Sequence, residues 1–100
     1  MTDYIYSIPE IKRILAPIFD QYEVNRAILF GSYSKAAATE TSDIDLLVDS
    51  GLRGLRFVGL SEDIREALDK DIDVFDVTHI EPESRIEDEI RSTGVVVYEK

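Results

Sequence analysis

Ile8, Ile11, Ile14, Leu15, Ile18, Phe19 and Tyr22 recur at spacings of three and four, the period of one helix face. Ser7 and Glu10 stand at capping-box spacing, which satisfies two orphan amides at a helix start. The pattern predicts a helix over 8–22, with Pro17 expected to kink or break it near Arg13 to Ala16. Asn25 marks a turn, and Arg26 to Phe30 reads as a buried strand. Gly31 to Thr41 is small and polar, with Ser34-Lys35-Ala36-Ala37-Ala38 suited to one or two helical turns. A second apolar run, opened by alternating aspartates, predicts a strand over Asp43 to Asp49. Gly51, Arg53 and Gly54 make a mildly basic loop. Phe57, Leu60, Ile64, Ala67 and Leu68 then follow a helical period.

Asp71 to Val77 alternates as a third strand, with Asp71, Asp73, Phe75 and Val77 on one face and Ile72, Val74 and Asp76 on the other. Pro82 suits the first turn of a helix whose buried points are Ile86 and Ile90 and whose stop is Gly94. Val95 to Tyr98 reads as a short last strand. The order α-β-(short α)-β-α-β-α-β predicts an α+β (α/β) fold, a single mixed sheet of about four strands with helices packed on it. The chain shows no repeat, linker or low-complexity tract, and its loops are too short for a second unit. Residues 1–100 are expected to form one domain.

Composition narrows the partners. The chain has 21 acidic and 11 basic residues, a formal net charge of −10. A surface so acidic repels a nucleic acid backbone, whose binding needs Lys and Arg to displace counterions, so a polynucleotide substrate is disfavoured. A nucleotide carried with metal ions is still allowed, because the ions supply positive charge. A basic protein partner is allowed as well. There is no cysteine, which excludes a disulfide framework and thiol chemistry. The start Met1-Thr2-Asp3-Tyr4 lacks a basic region followed by an apolar core, so no signal peptide is expected. No apolar run approaches the roughly 20 residues that span a bilayer. A cytoplasmic protein without a membrane segment is the expectation.

The chemistry sits at Gly31-Ser32 and at Asp43-Ile44-Asp45. Aspartate is depleted in strands, and residues at i and i+2 share a face. Asp43 and Asp45 therefore point the same way, with Cα atoms roughly 6.5 Å apart. Two like charges there repel, and the usual remedy is a cation between them. Asp73 offers a third carboxylate from another strand. Hard divalent ions such as Mg²⁺ prefer such oxygen ligands and keep substrate phosphates in their shell. Two of them roughly 3.5–4 Å apart stabilise both oxygens of an in-line displacement. A Gly-Ser at a strand end offers free amides and a hydroxyl to a phosphate, and glycine lets a phosphate oxygen approach. Together these parts point to phosphoryl or nucleotidyl transfer from a nucleotide triphosphate.

Gly31-Ser32, ten residues, then Asp43-x-Asp45 resembles the signature of the DNA polymerase beta-like nucleotidyltransferase superfamily. Ile72-Asp73-Val74 resembles the strand on which that superfamily carries its third acidic residue. The small size and the ending, from Ile86 to Tyr98, resemble the MNT group of minimal nucleotidyltransferases. The resemblance covers roughly residues 25 to 99, and Ile8 to Tyr22 resembles the group's leading helix. It implies the polymerase beta-like fold. It implies that Gly31 and Ser32 bind the triphosphate, with Lys35 at the position of a phosphate-gripping arginine. It implies that Asp43 and Asp45 hold two Mg²⁺. Asp73 would complete the second ion and accept the proton of the attacking hydroxyl. The transferred group would be an NMP, AMP from ATP, with pyrophosphate leaving. MNT proteins are commonly the antitoxin half of a pair with HEPN-family ribonuclease toxins, adenylylated on a tyrosine in the described cases. The chain departs from the group at Lys35, a point charge in place of a guanidinium fork, and at Ala36 in place of glycine. These departures carry the alternative reading, a catalytically weak module that neutralises its partner by docking.

The remaining polar residues read more plainly. Asp71 shares a face with Asp73 and becomes the ligand instead if the register slips. Asp76 and Asp49 read as surface. His79, the only histidine, reads as a surface or capping group. Tyr33 either stacks on a base or covers the core. The sequence leaves the acceptor, the base preference and the oligomeric state open.

Overall fold

The computed structural model describes residues 5–31 and 44–100. The expected short helix at 34–38, Tyr33 and Ala36 lie outside them. The elements run α1 (Ile8–Gln21), β1 (Arg26–Phe30), β2 (Ile44–Asp49), α2 (Leu55–Leu68), β3 (Ile72–Asp76), a single 3₁₀ turn at Val77–His79, α3 (Arg85–Thr93) and β4 (Val95–Glu99).

The start of α1 follows from its cap. Ser7 Oγ accepts from the Glu10 N–H at 3.2 Å, and Glu10 Oε1 accepts from the Ser7 N–H at 2.9 Å. Ile11, Leu15 and Phe19 are its fully buried stripe. Of the kink or break expected at Pro17, the break does not occur: one helix runs through it, as the reading of a single helix over 8–22 has it. Proline removes the bond to the Arg13 carbonyl. Both residues are exposed, on the side of α1 away from the core. Tyr22 at the end of α1 donates its hydroxyl to Asp63 Oδ2 of α2 at 2.7 Å. Tyr6, just before α1, donates to the Leu68 carbonyl at 2.6 Å. These bonds tie α1 to α2 at both ends. The Asp63 hydrogen bond, reinforced by burial, pushes the Tyr22 phenol above its ordinary value.

The sheet is mixed, in the order β3-β2-β1-β4. β1 is antiparallel to β2 and β4, while β2 and β3 are parallel and joined through α2. Period-two alternation divides its faces. Ala27, Leu29, Ile44, Leu46, Val48 and Ile72 meet Ile11, Leu15, Phe19, Leu60, Ile64 and Leu68 in one buried core under α1 and α2. The opposite face carries Ile28, Phe30, Asp45, Leu47, Asp73 and Phe75, with α3 laid against β1.

α3 differs from expectation in two ways. Its cap is Ser84, whose hydroxyl accepts from the Glu87 N–H at 3.2 Å, so Pro82 lies in the preceding turn. Ile86 and Ile90 are half-buried, and no α3 residue is fully buried. Among the described residues, α3 meets the sheet on one side only, against β1.

Asp76 is a correction of another kind. It ends β3 fully buried, not at the surface. Its Oδ1 accepts from the Ser50 amide at 3.2 Å and the Ser50 hydroxyl at 2.7 Å. Its Oδ2 accepts from the Thr78 amide at 3.1 Å and the Thr78 hydroxyl at 2.8 Å. Burial alone raises a carboxyl's pKa. Here the Ser50 and Thr78 hydrogen bonds outweigh burial and hold Asp76 below the usual carboxylate value. His79 caps the same turn, its Nδ1 accepting the Asp76 N–H at 3.1 Å, with its ring edge-on to Phe57 at 5.2 Å.

Candidate active site

Strand register decides which carboxylates meet. In the parallel pair, Asp45 of β2 stands directly beside Asp73 of β3. In the antiparallel pair, Asp45 stands opposite Phe30, the residue before Gly31. Neighbouring strands lie about 4.8 Å apart and register partners share a face, so the two aspartates are side by side. The start of β2, the start of β3 and the end of β1 thus converge on one edge of the sheet. Asp71 lies before β3, where its carbonyl accepts the Ile44 N–H at 3.4 Å. Asp73, and not Asp71, is the partner that β3 presents to Asp45. Asp45 is half-buried, Asp73 is exposed, and Asp49 at the far end of β2 is exposed.

The environment of Gly31 explains why it is glycine. Its φ is +80°, the left-handed region that side chains avoid. A Cβ built there would lie 2.6 Å from Asp45 Oδ2, closer than real contacts allow. The missing side chain makes room for the Asp45 carboxylate. The sequence expectation of a free amide at this position needs correcting. The Gly31 N–H donates to Thr93 Oγ1 of α3 at 3.0 Å.

Gly31→Ala is therefore expected to lower stability by about 1–3 kcal/mol through backbone strain and to displace the Asp45 carboxylate. Urea unfolding measures the first effect, and any Asp45-dependent activity falls with the second.

Ser32, Lys35 and Asp43 lie outside the described residues. Asp45, Asp73 and Gly31 are what the described structure brings together. Among the described residues no group of three or more His, Cys, Asp or Glu side chains is arranged to hold a metal ion. The donors at this edge are nonetheless carboxylate oxygens, the chemistry that hard ions such as Mg²⁺ accept. The set fits Mg²⁺ through Asp45 and Asp73, with Asp43 two residues before Asp45 in the sequence. A cleft of about 540 Å³ lined by Asn25, Arg26, Asp49, Glu99 and Lys100 opens elsewhere, at the opposite edge of the sheet. No helix among the described residues is long and apolar enough to cross a membrane.

A mixed sheet with two strand-borne aspartates in register beside a left-handed glycine defines a class that comparison makes explicit. Residues 13–100 match the family described as "Polymerase beta, Nucleotidyltransferase", and the chain belongs to that family. It is 42% identical over 78 residues to MJ0435 of Methanocaldococcus jannaschii, named as a candidate protein adenylyltransferase; the match spans 76% of this chain and 84% of that one. Solved structures share the fold. One is a chain from the crystal structure of a toxin-antitoxin with AMP-PNP, with TM-score 0.71 and 22% identity over 89% of this chain and 73% of that one. Another comes from the tri-AMPylated Shewanella oneidensis HEPN toxin in complex with MNT antitoxin, with TM-score 0.66 and 20% identity over 93% of this chain and 73% of that one.

Glu89 was not singled out by the sequence. Its Oε1 lies 3.3 Å from the same built Cβ position on Gly31. Glu89 and Thr93 are four apart, so they share the face of α3 that reaches Gly31. That spacing was readable, but nothing in the sequence says which face of α3 meets the end of β1.

Proposed function

We propose that residues 1–100 act as one minimal nucleotidyltransferase domain, Mg²⁺-dependent and cytoplasmic, moving AMP from ATP onto a protein acceptor. The acceptor is a HEPN-family toxin, and the chain is its antitoxin. The observation that supports this best is the in-register pair Asp45 and Asp73 beside Gly31, in a chain of the nucleotidyltransferase family. The relative named as a protein adenylyltransferase and the fold likeness to a complex with an AMPylated HEPN toxin favour a protein acceptor. The net charge of −10 suits a basic partner.

In this reading Asp43, Asp45 and Asp73 hold two Mg²⁺, and Gly31, Ser32 and Lys35 hold the triphosphate. When bound, the ions neutralise charge that builds on the attacking and leaving oxygens. The chain does the positioning. β2 and β3 fix Asp45 and Asp73 on a rigid edge, which holds substrate near an attack geometry. Asp73, being exposed, meets the incoming acceptor and takes the proton of a tyrosine hydroxyl. The tyrosine oxygen bonds to the α-phosphorus as the α–β bridge breaks, and pyrophosphate leaves.

Labelled ATP tests this with the partner present. Label at the α-phosphate is expected to move onto the partner protein, and label at the γ-phosphate is not. Transfer of γ-label would mean kinase chemistry. No transfer of either label would favour neutralisation by docking.

A further inference from the structure

Asp73 and Phe75 stand two residues apart on β3, so they share the outer face of the sheet. Register sets Asp73 beside Asp45 and Phe75 beside Leu47. Phe30, opposite Asp45 on β1, has its ring centroid 6.0 Å from that of Phe75, with the planes tilted by 43°. β2 runs between β1 and β3, so the two rings meet across it. Phe30 is buried, and so is Leu47. Phe75 is only half-buried, and it takes no part in the core under α1 and α2. A partly exposed ring, braced by a buried one, thus stands about 6.6 Å along the strand from Asp73.

We propose that Phe75 is the platform on which the base of the nucleotide stacks. The inference rests on the reading that triphosphate and Mg²⁺ lie at the edge formed by Gly31, Asp45 and Asp73. The base is separated from the α-phosphate by one ribose, a span comparable to the two strand rises between Asp73 and Phe75. With the α-phosphate beside Asp73, the base reaches the Phe75 ring. Planar rings attract when their centroids are about 4.5–7 Å apart. Stacking uses the π-face that every base has, so Phe75 lends affinity and not base preference. The contact with Phe30 keeps the platform from turning away.

Calorimetry of the full chain in Mg²⁺ tests it with AMP-PNP, GMP-PNP and tripolyphosphate, which has the phosphates and no base. Phe75→Leu is expected to weaken AMP-PNP and GMP-PNP alike, by about tenfold, and to leave tripolyphosphate unchanged. Phe75→Tyr, which keeps the ring, is expected to restore most of the loss. Equal binding of AMP-PNP by wild type and Phe75→Leu overturns the proposal. A loss that tripolyphosphate shares overturns it too, because the residue would then be structural. So does a Phe75→Leu protein that binds AMP-PNP normally but no longer passes α-label to the partner, since the ring would then serve the acceptor. Asp45→Asn keeps the two readings apart. If Asp45→Asn abolishes binding of all three ligands and Phe75→Leu leaves AMP-PNP intact, only the role of Phe75 fails. If Asp45→Asn binds all three like the wild type, or the wild type binds none, the edge is not the nucleotide site and both readings fall.

Discussion

Asp45→Asn is expected to reduce transfer of α-label from ATP to the partner by about a thousandfold while the protein stays folded. Asp45 is flanked by β1 and β3, opposite Phe30 and beside Asp73. Its carboxylate is also the group for which Gly31 leaves space. Asparagine keeps the shape, so packing is preserved, but the charge that holds a hard cation is gone. Removing one of two adjacent like charges does not destabilise a sheet. The melting temperature is therefore expected to hold or rise slightly. Equal label transfer by wild type and Asp45→Asn would remove this carboxylate from the mechanism. A collapse of the melting temperature would make it a structural residue instead.

The second large effect is on stability. Asp76→Ala is expected to cost about 2–4 kcal/mol at pH 7, because it leaves the buried Ser50 amide and hydroxyl without an acceptor. Against a domain stability of about 5–15 kcal/mol, this is a visible loss in urea unfolding. The site edge lies at the other end of the strands, so the folded fraction should retain nucleotide binding. The same carboxylate predicts a pH dependence. Its folded pKa is below the ordinary value of 3.8. The unfolded state therefore binds the proton more readily than the folded one. The stabilisation is fully present well above 3.8 and is lost as the pH falls through the lower folded value. Asp76→Asn should flatten this acid limb of the stability curve. An unchanged limb in Asp76→Asn would assign the acid sensitivity to other carboxylates.

The contrast between Asp45 and Asp76 shows what a sequence can and cannot disclose here. Both are aspartates in strands. Alternation assigned Asp43 and Asp45 to one face and left Asp71 and Asp73 both open on the third strand; the register set Asp73, not Asp71, beside Asp45. Alternation also placed Asp76 on the opposite face, which is the buried one. What was illegible is that Ser50, 26 residues earlier, returns to supply its donors. Such a pairing depends on how β2 ends relative to β3, and no local pattern encodes it.

Helices divide the same way. The capping box at Ser7 and Glu10 fixed the start of α1. At α3 the Ser84–Glu87 spacing was equally present, but Pro82 drew the start about three residues too early, since α3 begins at Arg85. The Thr93 hydroxyl on the Gly31 amide joins residues 62 apart. That contact exists only once α3 has docked on β1, and Glu89 could be noticed only through it.

The central claim is that nucleotide and cation meet at the edge formed by Gly31, Asp45 and Asp73. Amide NMR of the full chain, titrated with AMP-PNP with and without Mg²⁺, tests it most directly. Shifts are expected at Phe30–Gly31, Ile44–Leu46 and Ile72–Val74 that depend on Mg²⁺ and vanish in Asp45→Asn. Shifts confined to the opposite edge, around Arg26, Asp49 and Glu99, or no shifts at saturating nucleotide, would contradict it.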